Sequence, residues 1–311
     1  MSFKFPKNEY AGKIASVNLK SGTVVGGDEA LPFYSFEGNI PNKPIIAMEV
    51  YDSKPEGWPE SVDKYFNDVY DDPVKWAKKC IDEYGAESIC LQLKSVNPDS
   101  GDMKPQEAAE IVKKVSDAIE KPLIVYGDGP MEKIEDVMKK VSEVNQDSDI
   151  LIGWVEEDYY KTVAAACMGY NNNVISVNSM DVNIAKQLNI LLTQLGLPAE
   201  RIVMDPSTAS IGYGIEYCYS SMERLKIAAL LQDDKMTQMP LIVNLAPQVW
   251  KVKEVKESEE DYPEWGDLEQ RGINWESISA IATLVSGANI VVMRHPKAVS
   301  MVKEVINNLI Q

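Results

Sequence analysis

Residues 201–232 read RIVMDPSTASIGYGIEYCYSSMERLKIAALLQ. A short apolar run ends in Asp205-Pro206, a loop of small residues follows, and apolar positions at helical spacing close the unit. The run is continuous rather than alternating, as a parallel strand buried on both faces requires. Outward from this unit the rhythm recurs at KPIIAMEV (43–50), SICLQLK (88–94), PLIVYG (122–127) and ILIGWV (150–155). It continues at VISVN (174–178), LIVNLA (241–246) and NIVVMR (289–294). Helical patterns lie between these runs. Asp72-Pro73 opens VKWAKKCIDEYG, for example, with Pro at the first helical position and Gly85 at its close. Eight strands, each followed by a helix, predict an α/β protein with a (β/α)8 TIM barrel over residues 43–311. An open doubly wound sheet is the alternative, but no Gly-rich fingerprint follows the first strand. Residues 1–42 fall outside the rhythm. There VNLKSGTVVGG predicts a small hairpin and LPFYSFEGNIPNKP a connector.

The 311 residues carry a net charge of −17, from 48 acids against 31 Lys and Arg. That balance disfavours nucleic acid and anionic membranes, which need clustered cations. Cys80, Cys90, Cys167 and Cys218 lie far apart in apolar segments, so they read as reduced, buried thiols. An iron–sulfur or zinc site made by this chain alone is not expected, and no metal ligand is assigned. His295 is the sole histidine, which excludes multi-histidine metal centres. MSFKFPKNEYAGK has no hydrophobic signal core and no apolar run spans a bilayer, so a cytoplasmic protein is expected.

Barrels of this kind place their chemistry in the loops that leave the strands' C-terminal ends. Those ends carry Glu49, Asp52, Lys94, Asn97 and Asp128, then Trp154, Glu156 and Asn178. Asp205 with Ser207 and Thr208, Asn244, and Arg294 with His295 complete the ring. It is rich in amides, hydroxyls and carboxylates and poor in positive charge, so a sugar phosphate is disfavoured. GYG at 212–214 lacks the GxxxxGK[ST] pattern of a phosphate loop. No GxSxG occurs, and any Ser–His or Cys–His pair would have to use His295, whose position at a helix start suits capping or packing. Asp128 and Asp205 could meet across the mouth, or each could serve as a cap or turn former. No catalytic residue is assigned. The charged stretch 247–275 after the seventh strand reads as a lid, a docking surface or a solvated insertion.

The runs VVGGDEALPFYSFEGNIPNKPIIAMEVYD (24–52), LQLKSVNPD, YGDGPMEKI and VMDPSTASIGYGIEY resemble the small, delta-type subunits of corrinoid iron–sulfur proteins, and the resemblance covers essentially the full length. It implies a barrel related to pterin-binding methyltransferases, paired with a large subunit that holds an iron–sulfur cluster and a cobalamin domain. Cobalamin would lie between that domain and this barrel's mouth. The methyl group would come from methyltetrahydrofolate through a separate methyltransferase and pass to acetyl-CoA synthase, in the reductive acetyl-CoA pathway of carbon fixation. The sequence fits this division: it has no clustered cysteines and no Asp-x-His-x-x-Gly for cobalt. Candidate corrin-facing residues are Asp128, Asn178, Asp205, Asn244 and Arg294 in the ring. The loop after the sixth strand adds Ser207, Thr208, Ser210, Gly212, Tyr213 and Gly214. For that loop the alternative is that Asp205 caps the turn and the loop packs on its own helix. Related pterin-binding barrels use an acid after the sixth strand and an amide after the seventh, places held here by Asp205 and Asn244. An independent pterin-dependent methyltransferase is therefore the second reading, and a lyase using Lys94 a distant third. Aromatics in PFYSF favour, in part, contact of residues 1–42 with the large subunit.

Overall fold

The eight apolar runs close into a parallel barrel, which buries both faces of its strands and leaves no open edge. The computed structural model describes residues 6–310. An antiparallel hairpin comes first, β1 (Ser16–Leu19) and β2 (Thr23–Gly26). The barrel follows with β3 (Ile45–Tyr51), β4 (Ser88–Leu93), β5 (Leu123–Gly127) and β6 (Leu151–Val155). It continues with β7 (Asn173–Val177), β8 (Ile202–Asp205), β9 (Leu241–Val243) and β10 (Ala288–Met293). The pairing of Ile290 with Ile45, running to Met293 with Met48, closes the barrel. This is the expected (β/α)8 architecture with an N-terminal hairpin.

The helices are α1 (Glu60–Asp63), α2 (Pro73–Asp82), α3 (Pro105–Ala118), α4 (Met131–Val144) and α5 (Tyr160–Gly169). After them come α6 (Val182–Leu195), α7 (Ile215–Leu230), α8 (Ala246–Val249), α9 (Leu268–Val285) and α10 (Pro296–Leu309). Asp72 and Asp181 cap α2 and α6, their side chains accepting from the first free backbone N–H groups. Among the described residues no helix is long and apolar enough to cross a membrane.

The two-residue period of a strand divides the core in two. On β3, Ile46, Met48 and Val50 face the helices, whereas Ile45 and Ala47 face the barrel interior. Val17, Leu19 and Val25 of the hairpin join that interior cluster, so the hairpin plugs the N-terminal end of the barrel. Each such side chain contributes about 1.5–3 kcal/mol by leaving water. A buried polar knot ties the following connector down. Lys226 Nζ donates to Asn289 Oδ1 at 3.0 Å and lies 3.5 Å from Asp28, and Asn289 Nδ2 donates to Asp28 at 2.9 Å. The hairpin of β1 and β2 therefore packs under the barrel, while Tyr34 and Phe36 of the connector stay exposed.

Two segments depart from the sequence reading. The stretch 247–275 is not one loop: α8 takes its start and α9 begins at Leu268, so the long connection runs over 250–267. Asp267 starts the helix by accepting from Gln270 N, and the charged, Gly-containing LEQRGIN turns belong to it. Residues 52–72, between β3 and α2, fold into an aromatic cap over the barrel edge that the apolar rhythm did not reveal. In this cap Trp58 meets Tyr51, Tyr70 and Trp76 edge-on.

Candidate functional site at the barrel mouth

Strand alternation that aims Ile124 into the barrel also aims Tyr126 inward, one layer nearer the mouth. Its hydroxyl donates to Asp205 Oδ2 at 2.8 Å. Asp205 Oδ1 accepts from Ser207 N at 2.9 Å. Both carboxylate oxygens are thus engaged, yet burial pushes the Asp205 pKa up to about 6, with the two hydrogen bonds pulling the other way. Beside this pair Gln92 Nε2 donates to Asn244 Oδ1 at 3.1 Å. The floor of the mouth is consequently closed by Tyr126, Asp205, Gln92 and Asn244, all held by side-chain hydrogen bonds.

The loop that follows β8 is built to stay put. Asn178, just past β7, turns both its backbone N–H (3.0 Å) and its Nδ2 (3.2 Å) to the Asp205 carbonyl. Ser207 takes a left-handed φ of 61°, a strained place for a residue with a Cβ, and its hydroxyl donates to the Asn178 carbonyl. Ser210 is buried and donates to Gln248 O at 3.3 Å. Trp275 Nε1 donates to Ile211 O at 2.9 Å. A Cβ on Gly212 (φ 75°) would sit 3.2 Å from the Trp275 ring, and Gly214 (φ 95°) opens α7 in the left-handed region. Tyr213 and Tyr217 stand exposed on the rim. Two buried polar groups in this region, the Asn178 Oδ1 acceptor and the Thr208 hydroxyl, have no hydrogen-bond partner. Asn178 and Ser207 also line a cavity of about 200 Å³ with Glu156, Glu157 and Asp158.

On the opposite side charge is paired off. Arg294 donates from Nε to Glu49 Oε2 at 2.7 Å and from Nη2 to the Tyr51 hydroxyl at 3.1 Å, its Nη2 lies 2.7 Å from Glu49 Oε2 as an ion pair, and the guanidinium lies 4.0 Å from the centre of the Trp58 ring. Burial opposes the Arg294 charge, but Glu49, Tyr51 and Glu276 together outweigh it and raise the pKa. Lys94 lies 3.5 Å from Asp128, which also accepts from Asn97 at 3.4 Å. Asp52 binds Lys94 N at 2.7 Å and Ser95 N at 3.1 Å, and burial raises its pKa. Glu276, from α9, accepts from Arg294 N (2.6 Å) and His295 N (2.9 Å), and burial pushes its pKa up to about 7. His295 caps α10 by accepting from Lys297 N and stacks on Trp250, while burial lowers its pKa to about 4. The four cysteines are free and buried, and burial raises each thiol pKa.

Of the residues expected at the site, Asp205, Asn178, Ser207 and Thr208 gather on one side of the mouth, with Asn244 beside them on its floor. Gly212, Tyr213 and Gly214 form the rim, and Ser210 is turned inward. Arg294 is sealed beneath Trp58, and Asp128 engages Lys94 and Asn97 while Asp205 engages Tyr126. Sequence reasoning missed Tyr126, Gln92, Tyr51, Trp58 and Glu276. A polar Gln92 inside an otherwise apolar strand, and Tyr126 two residues before Asp128, were the available signals.

Residues 17–306 match the family described as CO dehydrogenase/acetyl-CoA synthase delta subunit. The chain is 36% identical over 319 residues to the acetyl-CoA decarbonylase/synthase complex subunit delta of Archaeoglobus fulgidus, covering 97% of this chain and 70% of that protein. It is 35% identical to the Methanocaldococcus jannaschii protein of the same name, covering 96% of this chain and 75% of that one. It is 32% identical to subunit delta 2 of Methanosarcina acetivorans, where it spans only 66% of the relative's length. Among solved structures, dihydropteroate synthase of Xanthomonas albilineans with 4-aminobenzoic acid superposes with a TM-score of 0.59 at 11% identity, over 95% of this chain and 98% of that one. The Coxiella burnetii dihydropteroate synthase with pteroic acid gives 0.59 at 10% identity, over 94% and 98%. At such identity the likeness is one of fold.

Proposed function

The chain belongs to the CO dehydrogenase/acetyl-CoA synthase delta subunit family, and from that premise we propose that it is the small subunit of a heterodimeric corrinoid methyl carrier. In this reading it covers cobalamin at its barrel mouth while methyl passes from methyltetrahydrofolate, through a separate methyltransferase, to acetyl-CoA synthase in the cytoplasm. A larger partner subunit holds the iron–sulfur cluster and most of the corrinoid contacts. The corrinoid, when bound, supplies the cobalt that carries the methyl group. One observation carries the proposal: the mouth joins unpartnered polar groups, the Asn178 Oδ1 acceptor and the Thr208 hydroxyl, to a rim of small residues and tyrosines, while Arg294, Lys94 and Asp128 are already paired. Such a surface suits a broad, neutral, amide-decorated ligand better than an anion. This chain's residues would hydrogen-bond that ligand and keep water from its exposed face.

The experiment is an anaerobic affinity purification from the native host. The expected result is a stoichiometric larger chain with corrinoid and iron–sulfur absorbance; a colourless single chain would overturn the reading. A second reading, an independent pterin-dependent methyltransferase, has in its favour the placement of Asp205 and Asn244 at the ends of the sixth and seventh barrel strands. It requires methyltetrahydrofolate binding by the isolated chain that is lost in Asp205→Ala and in Asn244→Ala. The engagement of Asp205 by Tyr126 and of Asn244 by Gln92 argues against it.

A further inference from the structure

Helices that pack outside a barrel ordinarily turn charge to water, and α4 does so with Glu132, Asp136, Lys139 and Glu143. The helices that follow β8, β9 and β10 behave differently. Helix α9, which packs between α7 and α10, exposes Gln270, Asn274, Ile278 and Val285, an uncharged stripe at helical spacing. Ile278 is 51% exposed and Val285 43%, so water, not the core, meets half of each side chain. Beside them α7 exposes Tyr217, Tyr219 and Ile227, and α10 exposes Met301 and Leu309. The charges that these helices expose, Glu216 and Glu304 against Arg224 and Lys297, cancel, although the chain as a whole carries −17. Where the three helices meet the connector, a cavity of about 370 Å³ opens, walled by Phe33, Tyr34, Tyr219, Ile227, Val285 and Leu309. Apolar surface thus extends from Tyr213 and Tyr217 at the mouth rim, along α7, to Tyr34 near the barrel floor.

We propose that the α7–α9–α10 face docks the helical layer of a second, different polypeptide, the same chain that closes the mouth. The inference rests on the heterodimer reading above and places the larger part of that contact on the barrel's side. Size is the first argument. The 18 residues of α9 make a helix about 27 Å long. Three such neighbours about 10 Å apart present roughly 800 Å², one partner's share of a standard stable interface. A peptide strand would fill one groove and leave most of that face in water. Charge is the second argument. Two copies of a −17 chain repel, and so high a charge of one sign keeps the isolated chain apart from its own kind. An anionic lipid surface is disfavoured for the same reason. The locally neutral, apolar face therefore suits a less acidic chain with an apolar helical layer of its own. The cavity gives that partner a seat for one protruding apolar side chain near the centre of the contact, where binding energy concentrates.

The test uses the tagged full chain, purified anaerobically from the native host, beside the same chain produced alone. The lone chain is expected to sediment as a monomer. In the assembly, amide exchange over residues 278–285 and 301–309 should slow at least tenfold relative to the lone chain. Ile278→Arg with Val285→Arg should cut the copurified larger chain at least tenfold, because it buries two charges in an apolar contact. Both sites are exposed, so the melting temperature of the lone variant should stay close to that of the native chain. Glu143→Arg on α4 changes net charge by the same amount and should keep the partner. Full retention of the larger chain by the double Arg variant overturns the inference, as does unchanged exchange over the two segments. A lone chain that sediments as a dimer and is split by the same substitutions assigns the face to a second copy and also overturns it. In those cases corrinoid absorbance in the assembly leaves the carrier reading standing. A larger chain that depends on Ile278 and Val285 but carries no corrinoid removes that reading and keeps this one, and a colourless single chain removes both.

Discussion

Asp205 sits at the end of β8 with both oxygens hydrogen-bonded, yet burial lifts its pKa from the usual 3.8 to about 6. That displacement corresponds to ~3 kcal/mol of preference for the neutral acid. Between about pH 4 and 6 the folded chain binds this proton more tightly than the unfolded chain, so stability from this group falls as pH rises and levels off above 6. His295 works in the opposite sense. Its pKa is lowered to about 4, and its contribution is lost as pH falls below the ordinary histidine range. The net profile of the native protein mixes the two, and the diagnostic quantity is a difference. Asp205→Asn, measured by chemical denaturation at several pH values, should gain on the native protein from pH 4 to 6 by roughly 2–3 kcal/mol, then run parallel to it. A difference that stays flat across that interval would mean the carboxyl is solvated. The Arg294–Glu49 pair makes the second residue-scale prediction. Both side chains are buried, so Glu49→Gln or Arg294→Met alone strands a charge and should cost about 3–5 kcal/mol. Glu49→Leu combined with Arg294→Met should recover most of that loss, since the pair's attraction is spent on its own desolvation. Additive losses in the double variant would refute this.

Helix α9 reaches the mouth through Glu276, which clamps the backbone N–H groups of Arg294 and His295 where β10 turns into α10. One turn earlier Gly272 faces Trp250, and a Cβ there would lie 2.5 Å from the indole ring. That ring stacks on His295, 5.8 Å away at 18°. Glycine weakens a helix interior by about 1 kcal/mol relative to alanine, so an exposed site would gain from Gly→Ala. Here Gly272→Ala should instead cost about 1–3 kcal/mol, because the indole must move off His295. Thermal melting with tryptophan fluorescence would read both effects, and a stabilised variant with unchanged emission would contradict the packing. The same helix shows where the sequence stops being legible. The strands were readable because continuous Val- and Ile-rich runs have few other uses, and the ring of Asp128, Asn178, Asp205, Asn244 and Arg294 followed from their ends. The start of α9 was hidden because LEQRGIN is charged and contains the glycine that Trp250 demands. Tyr126 with Asp205, and Trp58 over Arg294, join elements far apart in the chain. Their meeting depends on how the barrel closes, which no local period encodes.

At the scale of the molecule, a parallel barrel has two ends, and this chain treats them differently. The C-terminal mouth keeps hydrogen-bonding groups and a small cavity near solvent, whereas the N-terminal end is filled by Val17, Leu19 and Val25 beneath Ile45, Ile124 and Leu151. The hairpin therefore belongs to the stability of the barrel. Exposed aromatics in the connector, Tyr34 and Phe36, had argued for contact between residues 1–42 and a partner subunit. One pair of substitutions separates the two roles. Val17 is fully buried, so Val17→Ala should cost about 1.5–3 kcal/mol and Val17→Asp, which places a charge among aliphatic side chains, should leave little folded protein at 37 °C. Tyr34→Ser with Phe36→Ser should leave the melting temperature nearly unchanged, because neither ring fills the core. If the hairpin served chiefly as a docking element, Val17→Asp would melt like the native chain and fail only in copurification. Melting and copurification of these three variants therefore assign the extension to the barrel floor or to an interface, and loss of stability confined to the Val17 series is the expected result.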